Sequence, residues 1–100
     1  MHPEILVFDV ETGGLHPSDD FKCYADSYEY YDDEPTFAAA RLAELSEGHT
    51  LIGHNIVSFD LPYMCHLEVE HRGTDTLYQN LVSGKTKVVD TLIMSRLGPT

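Results

Sequence analysis

Ile5-Leu6-Val7-Phe8, followed at once by Asp9-Val10-Glu11-Thr12-Gly13-Gly14-Leu15, sets the frame for the rest of the chain. Four apolar residues in a row are too few for a helix and are rich in strand formers, which predicts a β-strand covered on both faces. The run ends in polar residues, and the glycine pair marks a turn. Side chains two apart on an extended segment point to the same side, so Asp9 and Glu11 can share one metal ion. They fall just beyond the C-terminal end of the predicted strand, where open α/β sheets place their ligands. Two free carboxylates so close repel each other, and a divalent cation relieves that. Taken alone, an Asp-x-Glu after a strand is more often a loop acid or a helix cap than a catalytic pair.

Outward from this stretch the chain alternates. Phe21-Lys22-Cys23-Tyr24 and Tyr28-Glu29-Tyr30-Tyr31, separated by Ala25-Asp26-Ser27, read as an antiparallel pair, and Asp32-Asp33-Glu34 as a solvated loop. Thr36 is placed to cap a helix carrying Ala38, Leu42 and Leu45, with Gly48 as its stop. Thr50-Leu51-Ile52-Gly53 predicts a second buried strand running into His54-Asn55. A helix then starts near Phe59 or Asp60, with Pro62 in its first turn and Leu61, Met64 and Leu67 as its apolar stripe, and ends at Arg72-Gly73. After a polar connection containing Gly84, Val88-Val89 makes a third buried strand. Asp90 can cap a short helix of Leu92, Ile93, Met94 and Leu97, closed by Gly98-Pro99. Helices between strands imply right-handed crossovers, hence an α/β layer structure with parallel central strands.

One hundred residues, 42% of them apolar, suit a single small domain that buries only about 60 to 65% of its unfolded surface. No stretch approaches the length of a bilayer span, and the N-terminus has no secretory-signal character, so an intracellular, cytoplasmic location is expected. Cys23 and Cys65 stand in no zinc or CxxC spacing and read as reduced thiols. Seventeen acidic against six basic residues give a formal charge of −11, which counts against unaided binding of a polyanion. It is less damaging for a nuclease, because carboxylates holding divalent cations invert the local field.

Asp60 falls in the first turn of a helix just after the strand through Leu51, on the same sheet edge as Asp9 and Glu11 if the strands are parallel. It could complete a nest of three carboxylates. An acid there also serves the exposed N–H groups and the macrodipole of a helix with no further role.

Phe8-Asp9-Val10-Glu11-Thr12-Gly13-Gly14-Leu15, then Gly53-His54-Asn55-Ile56-Val57-Ser58-Phe59-Asp60, then Val89-Asp90-Thr91-Leu92-Ile93-Met94-Ser95-Arg96-Leu97, resembles the proofreading exonuclease domains of family A DNA polymerases. These belong to the DEDD (DnaQ-like) 3'-5' exonuclease superfamily, and the likeness is greatest to the replicative polymerases of short-tailed bacteriophages. The first segment matches the family's first motif at Asp9, Glu11 and Leu15, and the second its second motif at Asn55, Phe59 and Asp60. In the third, Asp90 reads as structural. The likeness extends in order over essentially the whole chain.

The resemblance implies an RNase H-like mixed sheet with flanking helices, C-terminally incomplete, residues 1–100 forming the front part of one domain. It also implies two Mg2+ or Mn2+ ions, with Asp9 bridging both, Glu11 on the ion that holds the attacking water, and Asp60 on the other. Asn55 would bond near the substrate phosphate, and Thr12, Leu15 and Phe59 would lie against the terminal nucleotides. Leu15 can equally be a core residue closing the turn, and Phe59 a helix anchor. Partners implied are a single-stranded DNA 3' end and the remainder of a DNA polymerase or a polymerase subunit, in the host cytoplasm for a phage protein.

The superfamily's last motif, Tyr-x-x-x-Asp or His-x-x-x-x-Asp, is missing after Asp90. Tyr28 to Asp32 has the tyrosine spacing but precedes the second motif, and His71 to Asp75 has the wrong spacing, so neither is taken for it. Little or no exonuclease activity is therefore expected from these 100 residues alone. Two other readings stay open: a different DEDD-type exonuclease acting on DNA or RNA, and a non-catalytic RNase H-like binding or assembly module. His54 lies nearest the proposed site, in a structural or substrate-proximal role rather than as a metal ligand.

Overall fold

The computed structural model describes residues 4–14 and 20–93. Along the chain run β1 (Glu4–Thr12), β2 (Phe21–Asp26), β3 (Tyr30–Asp32), α1 (Pro35–Leu45), β4 (His49–Gly53), a π-helical turn (Ile56–Asp60), α2 (Leu61–Arg72), α3 (Thr76–Val82) and β5 (Lys87–Asp90). The sheet has the order β3-β2-β1-β4-β5. β1 pairs antiparallel with β2 and parallel with β4, and β4 pairs parallel with β5. The fold is thus α/β with a mixed sheet whose parallel strands include the central one.

Strand β1 alternates. Leu6, Phe8 and Val10 are buried, whereas Ile5 and Val7 are 55% and 51% exposed. The expected cover on both faces is therefore present on one face only among the described residues. That covered face packs with Tyr24 and Leu51 against Ala38, Ala39 and Leu42 of α1, Met64 and Leu67 of α2, and Leu77 of α3. Each large side chain so buried contributes about 1.5 to 3 kcal/mol, which sets where the helices lie.

Several boundaries differ from the sequence reading. β1 runs on through Asp9 and Glu11 instead of stopping at Phe8, because the ladder with β2 continues through Asp9↔Ala25 and Glu11↔Cys23. β2 starts at Phe21 as expected but runs on to Asp26, which turns the chain by accepting the N–H groups of Tyr28 and Glu29, so the second hairpin strand begins at Tyr30 instead of Tyr28. Helix α1 begins at Pro35, suited to a first position whose N–H would have no partner, with Glu34 rather than Thr36 at the cap. It ends at Leu45, ahead of Gly48. Ser46 there is wholly buried; its hydroxyl accepts from Asn80 at 3.0 Å and its carbonyl from the Thr86 hydroxyl at 2.7 Å. Helix α2 ends as expected at Gly73, whose φ of 69° is the left-handed conformation that closes helices.

Helix α3 stands where only a polar connection was expected. Its cap comes from a distance: the buried Glu68 carboxylate of α2 accepts the N–H groups of Thr76 at 2.9 Å and Leu77 at 2.8 Å, and the Thr74 hydroxyl at 2.7 Å. Residues 91–93 begin a helix, while Met94, Leu97, Gly98 and Pro99 lie outside the described residues. No helix among the described residues is long and apolar enough to cross a membrane. Both cysteines are free, and burial, with the Glu68 charge adding, pushes the Cys65 thiol up to about 11.

Gly53 lets β4 end against its neighbours. A Cβ there would overlap the Ile56 side chain and stand 3.0 Å from the Phe8 carbonyl oxygen. Gly53→Ala is expected to cost about 1 to 3 kcal/mol by overpacking. Urea titration would show it as a lower midpoint with unchanged slope.

Candidate active site

Asp9 and Glu11 project from β1 on the open face of the sheet, both exposed. Parallel pairing with β4 reaches Val7↔Ile52 and goes no further, since β4 stops at Gly53. The chain then turns through Asn55, which holds a left-handed conformation (φ 61°, ψ 30°), into the π-helical turn. Ile56 anchors that turn in the core with no exposure. At the far end of the turn stands Asp60, 4% exposed, whose Oδ2 accepts the backbone N–H of Val10 at 3.2 Å. The Asp60 carboxylate thereby meets β1 at the residue between Asp9 and Glu11.

Electrostatics follow from this geometry. Burial, and then the Asp9 charge with Glu11 and Asp90 adding, push Asp60 up to about 7 against the single opposing Val10 N–H. Burial disfavours the charged form of such a carboxyl, and neighbouring acids add to that.

The other predicted residues are distributed around this point. Phe59 is half-buried and packs on the core, its ring 5.9 Å from that of Tyr63, which accords with a helix anchor. The Thr12 hydroxyl donates to the Gly14 carbonyl, fixing the turn after β1. Leu15 lies outside the described residues. His54 is exposed, with Nδ1 2.9 Å from the Thr91 hydroxyl, which in turn lies 3.3 Å from the Gly53 carbonyl oxygen. Tyr28 and Asp32 belong to the outer hairpin, with β2 between β3 and β1.

Asp90 does more than cap. Besides the expected bond from Leu92 N at 2.9 Å, its carboxylate takes the N–H groups of Asn55 at 2.8 Å and Val57 at 3.0 Å. Burial pushes this carboxyl up, but the N–H groups of Val57, Asn55, Leu92 and Ile93 outweigh it and hold it below the ordinary range. With both oxygens committed to backbone donors, Asp90 is not a free carboxylate for the cluster. Its reach to Asn55 spans 35 residues and leaves no local trace in the sequence.

Among the described residues, no three His, Cys, Asp or Glu side chains meet in the arrangement of a bound ion. Asp9 and Glu11, the acids whose charge reaches Asp60 from β1, offer carboxylate oxygens, the hard ligands that Mg2+ and Mn2+ take. Comparison with protein-family models gives no match, and comparison with the curated proteins gives none either.

Proposed function

We propose that the chain belongs to an RNase H-like 3'-5' exonuclease domain serving a DNA polymerase. The observation that carries this reading is the Asp60 carboxylate on the N–H of Val10, flanked in β1 by Asp9 and Glu11. A central β1 with an antiparallel hairpin on one side and parallel strands on the other supports the RNase H-like assignment.

Asp9, Glu11 and Asp60 are the residues that would hold divalent cations. Such ions supply a lowered pKa for a bound water and neutralise the charge that builds on the phosphodiester oxygens. The chain's own share is placement. Exposed Asp9 and Glu11 face a substrate arriving over the open side of the sheet, and buried Asp60, fixed by Val10 N–H, supplies a carboxylate that cannot swing away. Asn55 stands at the entrance of the π-helical turn, where its amide suits a phosphate oxygen. The product would be a nucleoside monophosphate, and a frayed single-stranded 3' end enters most readily because it needs no further unstacking. The family's last motif, which would supply a fourth carboxylate and the group that orients the water, is not found after Asp90 in these 100 residues.

The test uses the natural full-length protein, with a labelled single-stranded oligonucleotide and Mn2+. Asp9→Ala is expected to slow release of mononucleotides by about a thousandfold, the loss of several kcal/mol of charge stabilisation. Equal degradation by the variant would remove Asp9 from the chemistry and the reading with it.

A further inference from the structure

We propose that Asp90 is the positioning residue of the site: it holds Asn55 and the π-helical turn in the one conformation that brings Asp60 onto Val10. This rests on the reading of Asp9, Glu11 and Asp60 as the functional cluster.

Two unfavourable features meet between Gly53 and Asp60. A non-glycine residue in the left-handed region carries a backbone cost, and a π-helical turn is a rare conformation found mostly within functional segments. Such geometry persists only where its surroundings enforce it. The Asp90 carboxylate bonds the N–H of the left-handed residue itself and the N–H two residues on, from the end of a different strand. The third bond, to Leu92 N, fixes the carboxylate in turn, so the clamp is braced on its own side. Next to it, the Thr91 hydroxyl meets His54 and Gly53, extending the same grip to the residues before Asn55. Five residues after Asn55 the turn delivers Asp60 to β1. Asp90 makes no hydrogen bond to Val10 or to the proposed ligands; its charge reaches Asp60, but its hydrogen bonds grip the turn.

The Val10 amide reports on this at a distance. In the metal-free chain at neutral pH, hydrogen exchange is followed by NMR at Val10, with Leu6 and Phe8 of the same strand as internal references. Asp90→Ala is expected to speed Val10 exchange by about tenfold or more relative to Leu6 and Phe8. Asp90→Asn, which retains one acceptor oxygen, falls between. Adding Asn55→Gly to Asp90→Ala removes the left-handed penalty and is expected to recover part of the Val10 protection. If Val10 keeps its protection in Asp90→Ala, or loses it only in step with Leu6 and Phe8, Asp90 is a general stabiliser and the proposal fails. Failure of Asn55→Gly to recover any protection also overturns it. Mn2+ titration of the same samples, read by line broadening near Asp9 and Glu11, tests the cluster separately. Asp90→Ala is expected to weaken that binding by about tenfold or more, because Asp60 is no longer held at Val10. Absence of binding in the unaltered chain would defeat the functional reading while leaving the Val10 result to stand or fall alone.

Discussion

Asp60→Asn is expected to stabilise the metal-free chain at pH 8 by about 2 to 4 kcal/mol and to abolish its stabilisation by Mn2+. The folded carboxyl titrates at about 7 against an ordinary 3.8, so the folded state holds this proton where the unfolded chain has released it. The stability that protonation confers is complete below the unfolded value and drains away as pH rises through 7. The unaltered chain is therefore weaker at pH 8 than at pH 5. Asparagine keeps an acceptor for Val10 N–H and carries no charge, which removes this pH-dependent part. A cation does the same for the native carboxylate, contributing about 2.7 kcal/mol when present at a hundred times its dissociation constant. Urea unfolding at pH 5 and pH 8, with and without Mn2+, reads all four corners. Unchanged stability of the variant at pH 8, together with a retained Mn2+ response, would remove Asp60 from the cluster.

The second large effect lies away from the site. Asp26, its side chain wholly buried, takes Arg41 Nε at 2.7 Å and Nη2 at 3.3 Å, the Tyr24 hydroxyl at 2.6 Å, and the N–H groups of Tyr28 and Glu29. One carboxylate thus joins the β2–β3 turn to α1. Asp26→Ala leaves Arg41 without its anion and strands the Tyr24 hydroxyl, and is expected to cost about 3 to 5 kcal/mol. Against the 5 to 15 kcal/mol typical of a domain, about a fifth or more of the stability would go. A fall in Tm of roughly 12 °C or more would show it, and a fall of under about 4 °C would mean the network is not the tie between hairpin and helix. Burial pushes the Asp26 carboxyl up, but Arg41, Tyr24 and the two N–H groups outweigh it and hold it at about 2. Its contribution of about 2 kcal/mol is present above the unfolded 3.8 and is lost as pH falls through 2. Acid unfolding of the native chain should carry this step, and the alanine variant should lack it.

What the sequence made legible was local in origin. The run Ile5 to Phe8, Pro62 near the head of α2 and Gly73 at its foot each act through near neighbours in the chain, and the elements they mark are present. Parallel crossover, a general rule of handedness, sufficed to bring Asp60 to the edge of β1. What escaped has its cause elsewhere in space. Helix α3 owes its start to Glu68, on another helix, and buries Leu77 with Leu81 partly covered, too little for a periodic signal. Ile5 and Val7 have the same chemistry as Leu6 and Phe8, so nothing in the residue types told which face of β1 lacked a cover. Asp90 showed itself as the cap of Leu92, but its hold on Asn55 depends on β5 lying beside β4, which only the assembled sheet reveals.

The side of β1 that has no cover among the described residues also bears on contact between copies of this chain. Contact between exposed Ile5 and Val7 of two copies would favour association, and a formal charge of −11 on each copy opposes it. That repulsion fades beyond about 8 Å at physiological ionic strength and weakens further in concentrated salt or as the carboxylates take up protons. The acidic surplus that burdens contact with a polyanion thus works, for the isolated chain, against clumping.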